Sequence, residues 1–258
     1  MLLKKTSLIS FVFLLFFLHL PSFGEVAFDT PGDDLGGSTN IITKIGVLAL
    51  LSLFPYIVML LTSFLKMVVV LSLLRNALGV QQSPPNAAIN GIALIMAIYV
   101  MFPTGLAMYN SAQSAIQKSP PQALFSSEAA NYIVSVTDQA KQPLKDFLQK
   151  NSSQRHQKYF YQLAYRSFPG DFKKGLEATD MIVLVPAYIS SQLKSAFEVG
   201  VLIYLPFFVI DLVVSNILLA MGMMMLSPLT IALPLKLLLI VVIDGWTLVI
   251  QGLVLSYK

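Results

Sequence analysis

The sequence predicts an all-α membrane protein made of kinked apolar helical hairpins with a small helical insert. Two observations carry that expectation. Of 258 residues, 56% are hydrophobic and only 12% charged, with a mean hydropathy of +0.73, whereas a soluble domain is about 25% charged and about 45–50% apolar. Four stretches, Ile41–Leu74, Ala87–Met108, Lys194–Leu226 and Leu229–Leu255, each meet the roughly 20-residue length needed to cross a bilayer as a helix.

In chain order, residues 1–24 read as a signal peptide. Lys4 and Lys5 precede an apolar stretch from Leu8 to Leu20, a Pro21 break, and Ser22 and Gly24 flanking Phe23, which places cleavage after Gly24. Residues 25–40, rich in Gly, Asp, Ser and Thr, form a flexible lead-in. Residues 41–109 form an N-terminal apolar hairpin. Its first helix is interrupted at Pro55, carries Lys66, and stops at Arg75, Asn76 and Gly79. The cations of this turn mark it as cytoplasmic, so the second helix returns outward.

Residues 110–180 change to mixed charge and Gln, Ser and short apolar clusters. Leu144, Phe147 and Leu148, then Phe160, Leu163 and Ala164, recur at helical spacing on either side of Asn151-Ser152-Ser153, which predicts a helical hairpin. Because it follows an outward helix, this insert is expected on the periplasmic side. Residues 181–258 form a C-terminal apolar hairpin: an amphipathic approach with Lys194 and Glu198 one turn apart, then two strongly apolar helices. The Met-rich turn between those helices is too short to hold a domain.

The residues argue against catalysis. Cysteine is absent, and neither His19, in the signal stretch, nor His156, expected in a polar loop, has a titratable cluster beside it in the sequence. No GxSxG, HExxH or P-loop spacing is present. The net charge of +4 is scattered, not striped, which argues against nucleic acid. No cofactor or metal is expected.

Two sets of residues remain. Lys66, Lys194, Glu198, Asp211, Lys236 and Asp244 are ionisable groups within apolar helices, where a charge costs from about 3 kcal/mol upward and normally faces protein or water. They read as pairs between helices or subunits, or, near helix ends, as side chains snorkelling to the interface. The second set is Met221, Met223, Met224 and Met225 beside Gly222 and Pro228. Thioethers suit a place whose shape must change, and equally serve as filler between lipid-facing helices. Consecutive positions lie about 100° apart on a helix, so these four cannot share one face unless the helix loosens.

The motifs "LLRNALGVQQSPPN", "VPAYISSQLKSAFEVG", "LPFFVIDLVVSNILLAMGMMMLSP" and "TIALPLKLLLIVVIDGWTLVIQGL" together resemble the FliP/SctR (YscR-like) family of type III secretion export-apparatus proteins. The resemblance runs from about Ile41 to Leu253 and favours the injectisome branch over the flagellar one. It implies a non-enzymatic core subunit of an export gate in the bacterial inner membrane. Such a subunit assembles as a pentameric, helically arranged ring with FliQ/SctS-like and FliR/SctT-like partners, largely on the periplasmic side, passing secreted polypeptides and contacting membrane lipid. It also implies that the methionines project into the conduit as a gasket. Flagellar members often carry Glu where this chain has Gln192, so an ion pair of Lys236 with that position does not carry over. The alternative is a small-solute or ion transporter with a midplane site at Asp211, Lys236 and Asp244.

Overall fold

The computed structural model describes residues 48–49, 52–53, 55–80, 83–118, 136, 138–173, 175–223 and 225–257. The signal stretch, the lead-in, Met224 and residues 119–135 lie outside them. The chain divides into two units, Met1–Leu50 and Leu51–Lys258. Of the first, only Leu48 and Ala49 are described, as helical.

Every regular element among the described residues of the second unit is a helix, joined by turns. Its elements are α1 (Pro55–Leu61), α2 (Phe64–Leu78), α3 (Asn86–Lys118), α4 (Gln142–Lys150), α5 (Gln154–Ser167), the single turn α6 (Gly170–Lys173), α7 (Met181–Ala220), α8 (Pro228–Val242) and α9 (Gly245–Leu255). Two of these, α3 over Asn86–Ser114 and α7, are long and apolar enough to cross a membrane. The pairs α1–α2 and α8–α9 pass the same test only together, bent by 76° and 61°.

Kinked helices are expected; the first kink lies elsewhere than expected, and local chemistry explains both bends. The first break falls at Thr62-Ser63, not at Pro55. Pro55 opens α1, where a missing N–H costs nothing. At the break, the Thr62 hydroxyl donates to Val58 O at 2.7 Å, and Tyr188 of α7 donates to Thr62 O at 3.0 Å, so a backbone acceptor freed by the kink is satisfied from a neighbouring helix. The second break is Ile243-Asp244, where Asp244 takes a left-handed conformation at φ 50°. A Cβ on the next residue, Gly245, would stand 2.5 Å from Ile240 Cγ1 and 3.3 Å from Ile240 O, so only glycine lets the chain turn this closely.

Two helices are longer than expected. Helix α3 continues past Met108 to Lys118 with Pro103 inside it. The amphipathic approach and the following apolar stretch are one helix, α7, of 40 residues, about 60 Å long at 1.5 Å per residue. That is twice the roughly 30 Å hydrocarbon thickness, so part of α7 must stand outside any bilayer the rest crosses. The part suited to this is its N-terminal half, which carries Ser191, Gln192, Lys194 and Glu198 and against which α4 and α5 pack.

Helix α2 is the centre of the packing. Its buried residues Phe64, Met67, Val70, Leu71, Leu74, Ala77 and Leu78 recur every three or four positions. The upper half packs with Ile89, Ala93 and Ala97 of α3, Ala196 of α7 and Leu253 of α9. The lower half packs with Phe207 of α7 and Ile240 of α8. A smaller cluster of Val214, Leu218 and Ala232 zips α7 to α8 near their connecting turn. Outside this seam the apolar side chains stay uncovered: Leu202, Val241 and Val242 are each more than two-thirds exposed, a surface that demands lipid or other protein chains.

Candidate functional site

The ionisable residues separate into a closed pair, a polar cleft and a solvent-facing remainder. The closed pair is Lys236 of α8 with Asp211 of α7. Lys236 sits eight residues after Pro228, in the third turn of α8, and only 2% of it is exposed. Its Nζ donates to Asp211 Oδ2 at 2.7 Å and to Ala77 O at 3.1 Å. Ala77 lies in the last turn of α2, whose carbonyls lack intrahelical donors, so the ammonium also caps a helix C-terminus, where the dipole favours a cation. One side chain thereby ties α2, α7 and α8. Asp211 remains 34% exposed along its side chain, which keeps part of its hydration.

The cleft lies where α2, the α4–α5 turn, the middle of α7 and the C-terminal tail converge. It encloses about 400 Å³. Lys66, on the first turn of α2, is 5% exposed; its Nζ donates to Ser256 Oγ at 2.9 Å and sits 5.0 Å over the Tyr257 ring. Tyr257 donates to Gln192 Oε1 at 2.5 Å, and Gln192 Nε2 donates to Asn151 O at 2.7 Å. Burial pushes the Tyr257 hydroxyl well above the ordinary tyrosine value of 10.0, so it stays a neutral donor. Gln192 therefore serves the tail and the α4–α5 turn. Phe147 of α4 stacks on Tyr257 with centroids 6.2 Å apart and tilts against Tyr188 at 5.9 Å.

His156 corrects another expectation: it lies in the first turn of α5, not in a loop, with Nδ1 2.7 Å from Ser191 Oγ. Ser191 accepts from Ser153 N at 2.9 Å and donates to Ala187 O at 2.6 Å. No sequence period pointed to this junction, because its members come from four separate segments and two of them, Ser256 and Tyr257, follow the last apolar helix.

The remaining charges face outward in the single chain. Lys194 and Glu198 pair at 3.5 Å with side chains 59% and 61% exposed. Asp244 is exposed at the α8–α9 break, accepting from the Thr247 hydroxyl at 2.9 Å, and so is not inside a helix as expected. Lys194, Glu198 and Asp244 are buried only if neighbouring chains cover them.

The methionine stretch forms the α7–α8 turn. Helix α7 ends at Ala220, and the Gly222 N–H and Met223 N–H reach back to Leu219 O and Leu218 O. This closure places Gly222 at φ 72°, the left-handed geometry that ends helices. Met221, Met223 and Met225 are all exposed, Met225 completely, while Met224 lies outside the described residues. Among the described residues no set of three His, Cys, Asp or Glu side chains could hold a metal.

Comparison with known proteins accounts for most of the chain. The FliP family matches residues 47–253. Virulence protein YscR of Salmonella typhimurium is 46% identical over 214 residues, covering 83% of this chain and 95% of that protein. Yop proteins translocation protein R of Yersinia pestis is 47% identical over 216 residues, covering 84% and 96%. Hypersensitivity response secretion protein HrcR of Ralstonia nicotianae is 41% identical over 208 residues, covering 81% and 93%. With the match running from before α1 into the last turn of α9 and such relatives aligned across nearly their whole length, the chain belongs to the FliP family.

Proposed function

We propose that the chain is a core subunit of a type III secretion export gate of the injectisome kind, forming part of the conduit through which secreted proteins cross the bacterial inner membrane. The observation that carries this reading is the near full-length similarity to relatives named for virulence, translocation and secretion. The architecture supports it: broken helices and a large uncovered apolar surface suit a chain that completes its packing with neighbours.

In this reading the chain assembles as a ring, pentameric by family resemblance, with FliQ/SctS-like and FliR/SctT-like subunits, largely on the periplasmic side. The signal peptide 1–24 is removed, and residues 110–180 lie in the periplasm. Lys194, Glu198 and Asp244 meet neighbouring subunits. Met221, Met223, Met224 and Met225 line the narrowest part of the conduit, where thioethers that adapt their packing close against ions and yield to an unfolded chain. No catalytic step is assigned.

The transporter alternative receives less support. Asp211 and Lys236 satisfy one another and a backbone carbonyl, and Asp244 bonds Thr247 in its own turn, so the three residues do not present an open midplane site. Deleting the chain from a bacterium carrying the whole system tests the proposal. Secretion of all substrates should stop and return on complementation; unimpaired secretion would overturn it.

A further inference from the structure

The break between α1 and α2 falls where no proline or glycine imposes one: Thr62 and Ser63 stand at the 76° bend. A side chain from another helix enters the hydrogen-bond ladder there instead. Tyr188 of α7 donates its hydroxyl to Thr62 O at 3.0 Å, an oxygen that in an unbroken helix would accept from the N–H of Lys66, four residues on. Helix α2 begins one residue later, with the Met67 N–H donating to Ser63 O at 3.3 Å. The Tyr188 hydroxyl thus stands in for one backbone donor.

The bent form leaves a group unserved. Ser63 is fully buried, and its hydroxyl has no hydrogen-bond partner among the described residues, which is costly. In an unbroken helix a serine hydroxyl donates to the carbonyl four residues back. For Ser63 that carbonyl is Met59 O, just as the Thr62 hydroxyl already donates to Val58 O at 2.7 Å. Straightening therefore gives up the bond from Tyr188, replaces it at Thr62 O by the Lys66 N–H, and gains a bond for Ser63. These exchanges leave the two forms close in free energy. Packing does not decide between them either. Among the described residues none of the buried apolar clusters takes a side chain from α1, and Tyr56, Ile57, Met59 and Leu60 are exposed.

We infer that α1–α2 is a two-state helix hinged at Thr62-Ser63, with α1 as a swinging arm and the Tyr188 hydroxyl as the latch that holds it bent. Released, residues 55–78 form one helix about 36 Å long at 1.5 Å per residue, enough to cross the roughly 30 Å hydrocarbon core. Latched, α1 points its apolar side chains across the axis of α2 and meets different neighbours. Because Tyr188 belongs to α7, the latch closes only when α7 has docked on α2. The direction of α1 and the seam between α2 and α7 are thereby coupled. The inference concerns the chain's own helices and does not rest on the secretion reading.

The chain has no cysteine, so spin labels go only where they are placed. Tyr56→Cys on α1 is paired with Tyr99→Cys on α3 and, separately, with Val242→Cys on α8, all three positions being exposed. The labelled chain is assembled with an excess of unlabelled chain and purified as the complex, so that distances within one copy are read. Swinging the arm through 76° displaces Tyr56 by roughly 10 Å, and with two reference points at least one distance changes. Wild type should give the bent distance. Tyr188→Phe keeps the buried ring and removes the latch; it should raise the straight-to-bent ratio roughly tenfold, the worth of one hydrogen bond. Adding Ser63→Ala removes the hydroxyl that straightening satisfies and should return the ratio toward wild type, whereas a general loosening around Tyr188 would not be repaired in this way. Ser63→Ala alone should raise the melting temperature of the complex, which keeps the test decisive should Tyr188→Phe fail to assemble. Distances unchanged by Tyr188→Phe, a shift that Ser63→Ala does not reverse, or a lower melting temperature for Ser63→Ala would overturn the hinge.

Discussion

Removing either partner of the Lys236–Asp211 pair should not have equal effect. Lys236 is 2% exposed, so Asp211→Ala strands an ammonium among apolar side chains with only Ala77 O, 3.1 Å away, as partner. Breaking a buried pair in this way costs about 3–5 kcal/mol. Lys236→Met instead leaves a carboxylate that is 34% exposed along its side chain and can recover water. Its cost also includes the loss of the cap on α2, and is expected below about 2 kcal/mol. The double variant should resemble Lys236→Met, giving a coupling about as large as the whole Asp211→Ala cost, on the order of 3–5 kcal/mol. Thermal unfolding of the detergent-purified complex, followed by loss of the assembled peak in size-exclusion chromatography, measures this. Asp211→Ala should fall by on the order of 10 °C, and Lys236→Met by less than half as much. Equal losses, a larger loss for Lys236→Met, or a wild-type melting temperature for Asp211→Ala would refute the reasoning.

Further substitutions probe other parts of the structure. A Cβ on Gly200 would stand 2.2 Å from Leu73 Cδ1 and 3.3 Å from Leu73 Cβ and Cγ, so Gly200→Ala should lower stability by about 1–3 kcal/mol; the loss should be relieved in Gly200→Ala/Leu73→Ala, and additive losses would contradict this contact. At the α8–α9 break, φ 50° at Asp244 makes Asp244→Gly near neutral in a melting assay, while Asp244→Val should cost about 1–3 kcal/mol because a β-branched residue is strained there. Replacing Met223, Met224 and Met225 together by Ala should leave the complex assembled but let small ions leak in a membrane conductance assay; a variant that assembles and stays as ion-tight as wild type removes the gasket.

What was legible in the sequence followed from short-range pattern. The helical periods around Leu144–Leu148 and Phe160–Ala164 correspond to α4 and α5, and the Gly222–Pro228 stretch to a turn, because these features depend on neighbours a few residues away. The kinks were less legible. Hydropathy is blind to where a helix breaks: the bend at Thr62 depends on Tyr188, 126 residues later, and the bend at Asp244 depends on how closely Gly245 approaches Ile240. Charged residues within apolar runs were visible as exceptions, but their environments were not. The helical register puts Lys66 and Lys236 inward and Lys194 outward, and the partner of Lys236 is fixed only by how α7, α8 and α2 pack. The polar junction at Tyr257 left no local signal, since it is assembled across the whole chain.

In the proposed function this chain works as one of several copies in a larger membrane assembly. The mass of the native complex, extracted in mild detergent and measured intact, tests it most directly. A particle containing several copies of this chain together with two smaller membrane subunits, stable through purification, is expected. A monomer or dimer free of those subunits, active in moving a small solute across vesicles, would contradict it.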